Sequence, residues 1–176
     1  MSTGIAMAVI AFDEWPLVEV TSIEEELPTP NYTLQTLKAL AGEREASKVA
    51  WMIGTDQLLV FPEWQNPRQI LEHASLVVLP RPEFTAENTL EIAQKVATSL
   101  GFSVTVDAKN NRIDLDGGGS IFVMPEAPRS VSSTEVRRLA SESLTKLDGL
   151  VPRAVVDYIA ELALYQQFHD DDKAKT

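Results

Sequence analysis

The sequence predicts an α/β fold in which a mainly parallel sheet is flanked by helices. Two continuous apolar runs carry that expectation. Lys48 to Ile53 ends at Gly54, and Ser75 to Leu79 ends at Pro80, the pattern of strands covered on both faces. Pro67 to Ala74 between them is suited to a helix, which completes a β-α-β unit. Farther along, Thr85 to Leu100 places Leu90, Ala93, Val96, Ala97 and Leu100 on one helical face and stops at Gly101.

The remaining elements follow in order. Ile5 to Phe12 is apolar and reads as a helix, with no strand before it, whereas doubly wound domains usually open on a strand. Leu17 to Val20 reads as a short strand, and the acidic, proline-bounded Ile23 to Pro30 as a loop. Asn31-Tyr32-Thr33 leads into a helix bearing Leu34, Leu37 and Leu40, with Gly42 as its stop. Phe102 to Val106 and Arg112 to Leu115 alternate around Lys109-Asn110-Asn111, the mark of a hairpin. Gly117 to Gly119 reads as a flexible link, and Ile121 to Met124 as a further strand. Ser132 or Ser133 caps a helix reaching about Leu144, and Pro152 opens a last helix with Val155, Ile159 and Leu162. Residues 1–167 are expected to form one domain and 168–176 a polar, disordered tail.

Composition narrows the function. The net charge of −11 disfavours nucleic acid and anionic membranes, since no global field draws phosphate polymers, yet a small nucleotide held by a few local donors remains compatible. Without cysteine there is no disulfide, zinc-thiolate site or thiol nucleophile. No basic-then-apolar leader opens the sequence, and no window reaches roughly 18 uninterrupted apolar residues. A cytoplasmic location is the resulting expectation.

Three motifs and two single residues stand out. In Val131-Ser132-Ser133-Thr134-Glu135-Val136-Arg137, Ser132 and Glu135 have capping-box spacing, and hydroxyls gather where a helix N-terminus attracts anions. Arg137 adds a possible bidentate phosphate contact. A plain capped helix accounts for the same spacing. Gly54-Thr55-Asp56-Gln57-Leu58 follows a strand, where α/β sheets bind ligands, and a carboxylate there suits a ribose hydroxyl pair; Asp56 as a helix cap is the alternative. Trp64, in Phe61-Pro62-Glu63-Trp64, is suited to stack on a heterocycle or to cover the core edge. Arg81 follows the second strand on the ligand side of the sheet, with a surface arginine packed beside a proline turn as the alternative, and Thr33 sits at a helix start, where capping accounts for it equally. The two histidines carry little: His73 has no partner histidine nearby, and His169 lies among Asp170, Asp171 and Asp172 in the polar tail. Neither a P-loop nor a G-x-S-x-G elbow is present.

In this order the segments resemble the bacterial nicotinate-mononucleotide adenylyltransferases, nucleotidyltransferases of Rossmann-like (HUP-type) fold. The Asn31-Tyr32-Thr33 and Thr36-Leu37 stretch, the Ile53-to-Leu58 turn, Phe61-Pro62-Glu63-Trp64, Arg81-Pro82, VSSTEVR and the Leu150-Val151-Pro152 to Leu164-Tyr165 ending carry the resemblance. It implies transfer of AMP from ATP to nicotinate mononucleotide, giving deamido-NAD and pyrophosphate, with Mg2+ accompanying ATP. Thr33 would contact the pyridine end, Asp56 the ribose, Trp64 the nicotinate ring and Arg81 the nucleotide pocket. Ser132, Ser133, Thr134 and Arg137 would hold the ATP phosphates.

One departure is expected to matter. The family's G-G-x-F-x-P-x-H-x-G-H segment, whose histidines stabilise the transferring phosphoryl group, does not occur in these 176 residues, and neither histidine matches it. The first strand of the family sheet is expected to be missing with it. The expectation is therefore weak or no activity from this chain alone, with self-association through exposed sheet edges. The alternative is a non-catalytic nucleotide-binding or interaction module of the same descent.

Overall fold

A computed structural model of the chain describes residues 2–41, 49–126 and 131–166. The chain divides into two compact units, residues 1–22 with 131–176, and residues 23–130. The expected Gly42 helix stop, the start of the first apolar run at Lys48, and the 168–176 tail with His169 lie outside the described residues.

Helix α1 (Thr3–Phe12) opens the smaller unit, capped by Ser2, whose side chain accepts the Ile5 N–H. It is apolar all round yet has no fully buried residue. Met7, Ile10 and Ala11 pack on one side, while Val9 and Phe12 stay exposed. The expected strand at Leu17–Val20 does not form. Leu17 is 98% exposed. Apolar alternation makes a strand only where a neighbour can satisfy its backbone, and no described strand pairs with this one.

The larger unit begins with a four-residue helix, α2 (Ile23–Glu26), inside what reads in sequence as loop. Next come α3 (Thr33–Ala41), β1 (Ala50–Gly54), α4 (Thr55–Val60), α5 (Pro67–His73), β2 (Ser75–Leu79) and α6 (Ala86–Ser99). The hairpin strands β3 (Val104–Asp107) and β4 (Arg112–Leu115) and then β5 (Ser120–Val123) complete it. The sheet order is β1-β2-β5-β4-β3. β1, β2 and β5 are parallel, with Trp51 opposite Leu76 and Leu76 opposite Ile121. β4 joins β5 antiparallel, and β3 joins β4 as the expected hairpin.

The pleat sorts the side chains. Ile53, Leu76, Val78, Ile121, Val123, Ile113 and Leu115 alternate onto one face and form the core with Leu58, Phe61, Ile70, Leu71 and the apolar stripe of α6. On the opposite face, Met52, Val77 and Phe122 lie in one register row. That row contains no fully buried residue, and Met52 is 63% exposed. Among the described residues β1 pairs only with β2, so its other edge is open. The glycine run is more than a flexible link. A Cβ on Gly119 would stand 2.7 Å from the Ala74 carbonyl oxygen, so that backbone crossing needs glycine.

The smaller unit closes with α7 (Ser133–Glu142), a 3-10 turn over Leu144–Leu147, and α8 (Arg153–Glu161), with Pro152 at its N-cap as expected. Its own core is Ala140, Leu147, Val155, Val156 and Ile159.

Candidate functional site

Two groups of expected residues are gathered by the fold, one in each unit. In the larger unit the turn leaving β1 passes directly into α4, a helix that the turn sequence conceals. Gly54 is its N-cap with extended backbone, φ −86° and ψ 164°. Asp56 therefore lies in the first helical turn and does not cap α4. Its Oδ1 accepts a 2.6 Å hydrogen bond from Arg81 Nε, which comes from just beyond the end of β2. The two side chains are 45% and 44% exposed. The Arg81 hydrogen bond holds the Asp56 carboxyl below its usual range, against a smaller opposing effect of desolvation. Arg81 is raised in turn, chiefly by the same bond. The pair arches over Gly54: a Cβ there would come within 2.8 Å of the Arg81 Nη2 and onto the Asp56 carboxylate.

Beneath the pair lies a contact the sequence reading missed. Thr55 and Thr89 are both fully buried, their hydroxyls 3.1 Å apart. The Thr55 hydroxyl also donates to the Leu79 carbonyl at 3.4 Å, tying the end of β1 to the end of β2. The available signal was a threonine at position 89 on the apolar face of a helix, one turn before Ala93.

Trp64 is half-buried on the core edge, its ring centroid 5.1 Å from that of Phe61 at an angle of 49°. That is the core-covering role, with part of the indole still accessible. Thr33 is the first residue of α3. The cap is supplied instead by Gln35, whose side-chain oxygen accepts the Tyr32 N–H at 3.1 Å. No hydrogen bond among the described residues joins Thr33 or Trp64 to the Asp56–Arg81 pair. His73 is occupied locally: its Nδ1–H donates to the Gln69 carbonyl one helical turn back.

In the smaller unit the VSSTEVR segment forms the start of α7. Ser132 is the N-cap, its Oγ accepting the Glu135 N–H at 3.0 Å, as the capping-box spacing requires. Ser132, Ser133 and Arg137 border a pocket of about 490 Å³ whose apolar wall includes Met7, Val151, Ile159 and Tyr165. Thr134 is exposed and does not line it. Arg137 is half-buried and has no ion-pair partner among the described residues, unlike Arg68, Arg81, Arg112, Arg138 and Arg153. Hydroxyls, free helix N–H groups and an uncommitted guanidinium at the rim of an apolar pocket suit a ligand with an anionic end and a flat or apolar body.

An α/β sheet with a carboxylate–arginine turn at its strand ends, together with a hydroxyl-rich helix start, has the makings of a nucleotide-handling protein. Residues 9–139 match the cytidylyltransferase-like family, and the chain belongs to it. Its relatives include proteins named "Probable nicotinate-nucleotide adenylyltransferase". That of Aeromonas salmonicida (strain A449) is 30% identical over 162 residues, covering 92% of this chain and 72% of its own length. Those of Serratia proteamaculans (strain 568) and Bordetella avium (strain 197N) are 32% and 31% identical, each covering 92% of this chain and 71% of the relative. Among the described residues no helix is long and apolar enough to cross a membrane.

Proposed function

We propose that this chain handles the substrates of nicotinate-nucleotide adenylyl transfer, binding nicotinate mononucleotide and ATP in a cytoplasmic route of NAD synthesis. The observation that carries the reading is the Asp56–Arg81 pair at the strand ends, in a chain similar over 92% of its length to proteins named for that reaction. Asp56 takes the mononucleotide ribose. Arg81 lines the nucleotide pocket, Trp64 offers its free indole surface to the pyridine ring, and Thr33 meets the ring's polar end. Ser132, Ser133, Thr134 and Arg137 take the ATP phosphates. The family match runs through both units, which supports reading residues 1–167 as one nucleotidyltransferase module.

The reaction needs no protein nucleophile. An oxygen of the mononucleotide phosphate attacks the α-phosphorus of ATP, the bond to the β-phosphate breaks, and pyrophosphate leaves. These residues supply binding and orientation. The described residues gather no cluster of three histidine or carboxylate groups that would hold a metal, so Mg2+ fits this chain only as a companion of the ATP phosphates. The 176 residues contain no H-x-G-H pair to stabilise the transferring group. Nucleotide binding with weak or absent turnover is the outcome we expect. Calorimetric titration with nicotinate mononucleotide, beside a coupled assay for deamido-NAD, tests it. Saturable binding abolished by Asp56→Ala supports the reading, and no binding of either nucleotide overturns it. The open edge of β1 favours a second reading alongside the first, self-association by strand pairing.

A further inference from the structure

We propose that the buried Thr55–Thr89 hydroxyl pair is a positioning device that sets the approach of Arg81 to Asp56, and through it the grip on the nucleotide ribose. The proposal rests on the ribose reading above. Thr55 immediately precedes Asp56, and Leu79 lies two residues before Arg81. The Thr55 hydroxyl spends its proton on the Leu79 carbonyl. Thr89 must then donate to Thr55, because the Thr55 oxygen is left as an acceptor. The resulting chain, Thr89 to Thr55 to Leu79, clamps three segments: the β1–α4 turn, the end of β2 and the second turn of α6.

The β1–β2 ladder ends at the Gly54–Leu79 pair, so beyond it the threonine hydroxyls continue the tie between the two segments toward Asp56 and Arg81. Asp56 and Arg81 are both near half exposed, and a lone surface pair of that kind is held weakly by its own attraction. Its 2.6 Å separation has little slack, since a hydrogen bond fades once the atoms part beyond about 3.5 Å. The threonines, by contrast, are fully buried, where a hydroxyl pair is strong and an unmet hydroxyl is costly. No described side-chain polar atom in the buried set lacks a partner, so the clamp is complete. A purely apolar contact at this place would fill the same volume without fixing direction. The hydroxyls fix both distance and orientation.

The test uses Thr89→Val, which keeps the shape and removes the hydroxyl, and Thr89→Ser, which keeps the hydroxyl. Three quantities are measured on the full chain: thermal unfolding, titration of the Asp56 carboxyl by carbon NMR, and affinity for nicotinate mononucleotide. In Thr89→Val the Asp56 titration moves up toward that of an ordinary aspartate and affinity falls about tenfold, the weight of one buried hydrogen bond left unmet. Thr89→Ser restores both. A lowered melting temperature in Thr89→Val with an unmoved Asp56 titration overturns the proposal, because the threonines then serve stability alone. Should Thr89→Val fail to fold, Thr89→Ala decides it beside Thr89→Ser: an Asp56 titration moved up in Thr89→Ala and restored in Thr89→Ser supports the clamp, and one unmoved in Thr89→Ala overturns it. A shifted titration with unchanged nucleotide affinity leaves the clamp standing and removes the ribose from Asp56.

Discussion

Arg81 Nε stands 2.6 Å from Asp56 Oδ1, so the two side chains proposed to meet a nucleotide at the strand ends are partners of each other. A ribose that binds at Asp56 shares the carboxylate with Arg81 or displaces it. The pair thus orients the carboxylate before ligand arrives. Because the pair is largely solvated, its contribution to stability is under about 1 kcal/mol. The folded carboxyl is depressed, so that contribution is present above the ordinary value of 3.8 and is lost as pH falls below it through the folded value. In Arg81→Gln we expect unfolding free energy to drop slightly at neutral pH, with the difference vanishing in acid. Affinity for nicotinate mononucleotide falls far more than stability. Denaturant unfolding at a series of pH values, with calorimetry at neutral pH, checks both.

Gly54 gives a sharper separation of binding from folding. Its backbone is extended, so alanine meets no conformational strain there. The atoms nearest an added Cβ are the ends of the Asp56 and Arg81 side chains. Gly54→Ala should melt within a few degrees of the parent, since removing a glycine offsets part of any loss by roughly 0.4–1 kcal/mol. Nucleotide binding should be largely lost. A variant that binds normally would show that the pair moves aside at no cost to the ligand.

At the α7 start, the cap rests on Ser132, whereas the proposed phosphate site also uses Arg137, so a change at each residue reads a different property. Ser132→Ala removes the side-chain acceptor of the Glu135 N–H and should cost about 1 kcal/mol in chemical denaturation. Arg137→Gln breaks no ion pair among the described residues, so stability should barely change. It should weaken ATP binding and flatten the dependence of that binding on salt. Equal salt dependence in parent and variant would remove Arg137 from the phosphate site.

The β1 edge predicts association that depends on concentration. The AWMIG strand carries no charge and no proline, the usual guards of an open edge. Met52 is 63% exposed, so Met52→Lys should leave the unfolding free energy within about 0.5 kcal/mol of the parent. Sedimentation velocity should show less oligomer in the variant. Identical profiles at all concentrations would place association elsewhere or nowhere.

The parts of the fold written in local pattern were readable. Ser75–Leu79 and Arg112–Leu115 form strands over the expected residues, because a continuous apolar run and a strict alternation each name their burial directly. Leu17–Val20 shows the limit of that logic: the same pattern makes no strand when no neighbour accepts its hydrogen bonds. Helix α4 was hidden by its brevity, six residues following a glycine. The Asp56–Arg81 and Thr55–Thr89 partnerships span 25 and 34 residues, and nothing local in either motif announces its distant partner. Thr89 was concealed by its surroundings, a lone polar residue on a face read for its apolar members.

The mixed sheet order also dictates how the chain assembles. The β3–β4–β5 meander is closed by short turns and forms with little loop-closure cost. Joining β2 to β5 instead brings together Ser75 and Ser120, 45 residues apart, and requires α6 and the whole meander to be in place between them. We expect the meander with α6 to nucleate and the β1–β2 half to dock late. The strand that ends at Gly54, two residues before Asp56, is then the last to gain a neighbour and the first to lose one. Its outward amides should exchange with solvent faster than those of β2, by local opening that leaves the rest of the sheet intact.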